Sequence, residues 1–188
     1  MKLNVFKKKT CLEIFLDDEL FKICDRKLFQ KKLPKHMEFK DKKEALDWFN
    51  KIEKDVVLGL SYNLLGKKNY HSSVLKRKLM LRKFSCNCID EIIGLLKMKR
   101  FLDDNDWIKF QIEKAQSKQF GPRKIFYQLY LMGIEKEEIQ KAIDKFYPPA
   151  KEKNIVEDLK IKYQNKKDQK QLYSFLKNKG FNLFDFFD

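Results

Sequence analysis

Apolar positions along this chain fall into one register that is written three times. Leu75, Leu79, Phe84 and Ile89 recur as Ile125, Leu129, Ile134 and Ile139, and again as Leu172, Leu176, Phe181 and Phe186, with offsets of 50 and 47 residues. Residues four apart share one face of a helix, whereas the step of five to the next apolar residue marks a helix end and the start of another helix. Repetition of that break at a fixed place predicts a mainly α chain of tandem three-helix repeats in an elongated, curved array. The boundaries that follow are an N-terminal extension over 1–55 and repeats over 56–101, 102–147 and 148–188, the last with a truncated final helix.

Punctuation between the apolar positions fills in the elements. Two β-prone runs around Asp17-Asp18-Glu19 within Thr10 to Cys24 predict a small β-hairpin. A helix over Lys42–Lys54 then leads into the repeats. The first repeat opens with a helix of Val57, Leu58, Leu60, Leu64 and Leu65 that ends near Gly66. His71 or Ser72 caps its second helix, and Ser85 stands at the N-cap of its third. In the second repeat Gly121-Pro122 supplies a permissive residue and a proline at the first helical position. Gly133 and Gly180 fall where a left-handed cap is required, a place held by Lys83 in the first repeat. Pro148-Pro149 blocks helix continuation between the second and third repeats. The segment Asn182–Asp188 is a stub of the last helix, whose aromatics are expected to plug the end of the array.

Composition adds 43% apolar residues with 17 Phe, enough for packed cores, and 37% charged residues for solvated faces. The net charge of +15 points to polyanionic partners. Its distribution is uneven, at +4 over 1–55, +8 over 56–100, 0 over 101–147 and +3 over 148–188. The first repeat is therefore the candidate for phosphate contact, through Lys67, Lys68, Lys76, Arg77, Lys78, Arg82 and Lys83. Lys76 and Arg77 lie between Leu75 and Leu79 and point away from the core, while Lys78 and Arg82 flank its apolar face. If three to five of these neutralise phosphates of single-stranded DNA, the salt slope is roughly −2 to −4. Arg123 and Lys124, at the start of a helix in the neutral repeat, are candidates for acidic protein residues or phosphate. Tyr70, Phe120, Tyr127 and Tyr130 are placed in the core rather than against bases.

Catalysis has little to stand on. Asp103-Asp104 precedes Trp107 and Ile108 and reads as a helix cap, not as a paired-carboxylate site. His36 and His71 lie in unlike contexts, and no metal-ligand spacing, nucleophile or phosphate loop accompanies them. Cys11, Cys24, Cys86 and Cys88 fit neither a disulfide framework nor a zinc site. No enzyme activity, metal or cofactor is expected. With no signal-peptide stretch and no run of about 18 apolar residues, a soluble cytoplasmic protein without membrane contact is expected.

Four segments carry a family likeness: Phe101-Leu102-Asp103-Asp104, Phe120-Gly121-Pro122-Arg123-Lys124-Ile125, Leu129-Tyr-Leu-Met-Gly133-Ile134 and Lys177-Asn-Lys-Gly180-Phe181. Their order and spacing over roughly 56–188 resemble the RecX family, bacterial regulators of the RecA recombinase. Individually each is helix capping and core packing. The resemblance implies a non-enzymatic negative modulator that binds RecA filaments on single-stranded DNA. It would suppress ATP hydrolysis and strand exchange by blocking extension or promoting disassembly, and so act in recombination, DNA repair and the SOS response. RecA and single-stranded DNA are the partners so implied, duplex DNA is a further candidate, and a monomer is expected. The first repeat departs from the family in lacking glycine at its turn.

Three other function classes remain open. A helix-turn-helix DNA binder fits the helix, turn, helix order, but the helix after Gly133 carries Glu135, Glu137, Glu138 and Asp144 and would meet a phosphate-lined groove with net negative charge. A helical scaffold for another protein is the second. A nuclease built on Asp103 and Asp104 would show itself as metal-dependent cleavage of DNA.

Overall fold

The computed structural model describes residues 1–183, so Phe184 to Asp188, with the last register position Phe186 and most of the expected terminal stub, lie outside the described residues. The chain forms two compact units, Met1–Leu102 and one that begins at Asp103. In the first, strands β1 (Lys2–Lys7), β2 (Cys11–Leu16) and β3 (Glu19–Asp25), a short helix α1 (Arg26–Phe29) and strand β4 (His36–Glu38) precede helices α2 (Lys42–Leu65), α3 (Ser72–Met80) and α4 (Cys86–Met98). The second holds α5 (Asp104–Ser117), α6 (Pro122–Leu131), α7 (Lys136–Phe146), α8 (Pro149–Tyr163) and α9 (Gln169–Lys179). Among the described residues no helix is long and apolar enough to cross a membrane.

The expected hairpin is part of a larger element, an antiparallel sheet of four strands in the order β3-β2-β1-β4. The β2–β3 turn is made by Asp17 and Asp18, both at positive φ, the two-residue geometry whose twist matches that of the strands. Leu3, Leu12, Ile14, Leu16 and Cys24 alternate onto the buried face and join Phe29, Phe49 and the inner faces of α2–α4 in one core. The two strands outside the expected hairpin were illegible for a simple reason. β1 has only Leu3 and Val5 to signal alternation, and all three residues of β4 are exposed.

A second difference concerns α2. It runs unbroken for 24 residues, where the sequence suggests one helix ending at Lys54 and another opening at Val57. Ala45, Phe49, Glu53, Val56 and Val57 all lie on its buried face, and no proline interrupts the ladder. Glu53 has an apolar neighbourhood and a structural task. Its two carboxylate oxygens accept the backbone N–H of Ser85 at 2.9 Å and its hydroxyl at 2.5 Å, so the N-cap residue of α4 is held by a side chain from α2.

In the second unit Ile108, Ile112, Ile125, Leu129, Ile134 and Ile139 centre one cluster, and Val156, Leu159, Leu172, Leu176 and Phe181 another. Every described position of the threefold register is buried. Capping follows sequence in several places: the Asp103 carboxylate accepts from Asp106 N–H at 3.0 Å, and Asp168 accepts from Gln171 N–H at 2.7 Å. Gly133 and Gly180 take φ of 85° and 89° as expected, and Lys83 adopts the same left-handed conformation at 62°. Gly121 does not. Its φ of −78° is open to any residue, and its glycine is required by close backbone packing against α9.

Candidate polyanion-binding surface

Helix α3 is the scaffold of the basic cluster. His71 caps it, with Nδ1 accepting from the backbone N–H of Ser73 at 3.2 Å, and is itself buried. Leu75 and Leu79 are fully buried and fix its rotation, so Arg77 and Lys78 are exposed and Lys76 is half-buried at the edge. Lys67 and Lys68 are exposed in the loop that precedes α3, and Arg82 and Lys83 in the turn that follows it. The first unit therefore gathers all seven residues on one short helix and its two flanks.

Local contacts divide these seven. Lys68 and Lys78 place their ammonium groups 5.0 and 5.8 Å from the ring centroid of buried Tyr70, which acts as a post between two cations. Lys76 pairs with Asp90 of α4 at 2.5 Å, and Arg82 with Asp25 at the end of β3 at 2.9 Å. Both pairs are substantially exposed, where water and salt leave little net attraction. Chemically the surface offers several cations on a rigid helix and its flanks, of which Lys76 and Arg82 can each exchange a weak carboxylate partner for a phosphate oxygen.

Arg123 and Lys124 stand in the second unit, in the first turn of α6. Backbone N–H groups there meet the C-terminal end of α9, with Gly121 donating to Lys179 O at 2.8 Å and Arg123 to Gly180 O at 3.1 Å. The Arg123 guanidinium donates to Asn182 Oδ1 at 3.2 Å. Lys124 folds over the Phe120 ring, 4.3 Å from its centroid, and Lys179 lies 5.1 Å from the same centroid. Burial, then the nearby Lys124 and Lys162, hold the Lys179 ammonium below the ordinary lysine range.

The aromatics sort differently from expectation. Tyr70 is buried and Phe120 half-buried, but Tyr127 and Tyr130 are exposed by 60% and 45%. Ile125 and Leu129 occupy the core face of α6, so residues two and five beyond Ile125 fall on the outside. The helical spacing already contained that signal. With Leu131 they put an apolar, hydroxyl-tipped strip on the helix whose first turn holds Arg123.

Similar proteins give this surface a context. No family model matches the chain. A curated relative from Caldanaerobacter subterraneus subsp. tengcongensis, named Regulatory protein RecX, is 26% identical over 182 residues, covering 94% of this chain and 90% of its own length. A protein of the same name from Finegoldia magna is 27% identical, covering 93% and 84%. Along nearly its whole length the chain is similar to proteins named Regulatory protein RecX. Its fold is shared with two solved RecX structures. A regulatory protein RecX matches with a TM-score of 0.62 and 20% identity over 96% of this chain, and RecX from Lactobacillus salivarius with 0.61 and 18% over 71%. Because the curated matches run through residues 1–55 as well as the helices, the N-terminal sheet falls within the extent of RecX similarity.

Proposed function

We propose that this protein is a negative modulator of RecA. It binds RecA filaments on single-stranded DNA and suppresses ATP hydrolysis and strand exchange by blocking filament extension or promoting disassembly. The observation that carries this reading is similarity to proteins named Regulatory protein RecX over more than nine-tenths of the chain. The basic cluster on α3 supports it physically, because cations on a short rigid helix suit a filament that exposes DNA phosphates. Lys67, Lys68, Lys76, Arg77, Lys78, Arg82 and Lys83 are assigned to DNA or filament contact, and Arg123 and Lys124 to a contact with acidic RecA residues or phosphate. The protein acts in the cytoplasm as a monomer and without catalysis of its own.

The helices are read as three copies of one three-helix unit over 56–101, 102–147 and 148–188, with the C-terminal part of α2 opening the first. Burial of every described register position supports that reading. The test of function is RecA ATP hydrolysis on single-stranded DNA. Substoichiometric protein added to preformed filaments is expected to lower the rate, and an unchanged rate at equimolar protein would sink the proposal. Lys76→Glu with Arg77→Glu is expected to weaken both DNA binding and suppression at unchanged helicity.

A further inference from the structure

One face of the N-terminal sheet is built unlike an ordinary solvated face. Antiparallel sheets with one buried side normally alternate apolar residues inward and polar residues outward. Here the outward positions carry Phe6, Phe15, Leu20 and Ile23. The register sets them side by side: Asn4 lies opposite Phe15 and Phe15 opposite Leu20, while Glu13 separates Phe6 from Ile23 one step along. Phe6 and Phe15 meet edge to face with centroids 5.4 Å apart. Phe6, Leu20 and Ile23 remain 53%, 54% and 41% exposed.

What covers such a face is decided by area and charge. Three strands of six residues span about 14 Å by 20 Å, or about 300 Å². A stable protein partner needs about 800 Å² on each side, so the face is too small for a lasting protein interface and suits two or three stacked bases. Next to Phe6 the β1–β2 turn is Lys7-Lys8-Lys9, and the guanidinium of Arg26 reaches it, donating to Lys8 O at 3.1 Å. Cations therefore border Phe6, while Phe15 and Leu20 lie toward the end closed by Asp17, Asp18 and Glu19.

We propose that this sheet face is a stacking platform for single-stranded DNA, with Phe6 and Phe15 taking bases and the Lys7–Lys9 turn and Arg26 the adjoining phosphates. It rests on the reading of the protein as one that works on single-stranded DNA, and adds a site distinct from the basic cluster on α3. Stacking on aromatic rings tolerates any base, so the platform follows a strand without reading its sequence.

The test uses the full chain and a fluorescein-labelled oligothymidylate of about a dozen nucleotides, followed by anisotropy. Phe6→Ala is expected to bind about tenfold more weakly and Phe6→Tyr within about twofold of the unaltered chain, because an aromatic face is kept. On an abasic oligomer of equal length, Phe6→Ala and the unaltered chain bind alike. Equal affinity of Phe6→Ala for the oligothymidylate overturns the proposal, as does an equal loss on the abasic strand or a failure of the unaltered chain to bind either. A dimer in sedimentation that Phe6→Ala abolishes, with DNA affinity unchanged, overturns it in favour of a second copy. Suppression of RecA ATP hydrolysis, measured separately, decides the function proposed above whichever way the platform test falls.

Discussion

Gly121 and Gly180 lie backbone against backbone. A Cβ on Gly121 would stand 2.4 Å from the carbonyl carbon and oxygen of Gly180, and a Cβ on Gly180 would stand 2.5 Å from Lys124 N and Cβ. The contact joins the N-terminal turn of α6, which has N–H groups to spare, to the C-terminal turn of α9, which has spare carbonyls. Two hydrogen bonds close it, from Gly121 N–H to Lys179 O and from Arg123 N–H to Gly180 O.

Either glycine is therefore intolerant of a methyl group. Gly121→Ala is expected to lower stability by about 1–3 kcal/mol through overpacking alone, since backbone on both sides cannot rotate away. Gly180→Ala adds the cost of a left-handed residue at φ 89° and should be the worse of the two. Urea unfolding of both variants checks the order, and a Gly121→Ala chain as stable as the parent would show that the two turns separate freely.

Lys83 offers the opposite case. An L-residue in the left-handed region costs about 1–2 kcal/mol, and glycine gives back roughly half of that gain through its more flexible unfolded chain. Lys83→Gly is expected to stabilise the protein by about 0.5–1 kcal/mol while removing one candidate phosphate contact. The two effects are separable, as a higher urea midpoint together with a salt slope for DNA binding shallower by about 1.

How much of this was legible in sequence depends on what each feature requires. The threefold register was readable because a buried helix face must repeat at fixed spacing, and Leu75, Ile125 and Leu172 do so. Continuity of α2 was not, because a charged Glu53 on the same face as Phe49, Val56 and Val57 interrupts the apolar pattern until it is seen to serve Ser85. Exposure of Arg77 followed from the positions of Leu75 and Leu79, whereas Lys76, placed outward by the same spacing, is half-buried and pairs with Asp90. The pairing of Arg82 with Asp25, 57 residues away, required the sheet to be in place and left no local trace.

Glu53 gives a direct test of its contact with Ser85. It is buried, and its carboxylate is the partner of both polar groups of Ser85. Glu53→Ala leaves the N–H and hydroxyl of Ser85 without this acceptor and is expected to cost about 3 kcal/mol. Glu53→Gln keeps one acceptor oxygen and should cost clearly less. Equal losses in chemical unfolding would mean that the side chain's packing, and not its oxygens, matters.

The buried thiols give the protein an alkaline limit. Burial first and the Glu53 carboxylate second push Cys24 up to about 12 and Cys88 up to about 11 from the ordinary value of 9.0. Above pH 9 the unfolded chain releases these protons while the folded chain retains them, so folding stability is full below about pH 9 and falls as pH rises toward 11–12. Burial also pushes the Tyr147 hydroxyl upward, which adds to the fall. Cys24→Ala should flatten the decline seen in urea titrations between pH 8 and pH 11. At pH 8 a thiol reagent should modify exposed Cys86 rapidly, and Cys24 and Cys88 only on unfolding.

The carboxylate partners of the basic cluster predict how DNA binding can be raised. Asp25 accepts from Arg82 through one oxygen and from the backbone N–H of Lys27 through the other, which caps α1. Asparagine is as good a cap as aspartate but carries no charge, so Asp25→Asn keeps the helix start and releases the guanidinium. The exposed pair is worth at most about 1 kcal/mol, and removing a nearby negative charge favours phosphate by a similar amount. Affinity for single-stranded DNA at low salt is therefore expected to rise about two- to fivefold, with a salt slope steeper by up to about 1. Asp90→Asn should act in the same way through Lys76. Unchanged affinity in both variants, with folding intact, would place the DNA contact of this protein somewhere other than α3 and its flanking turns.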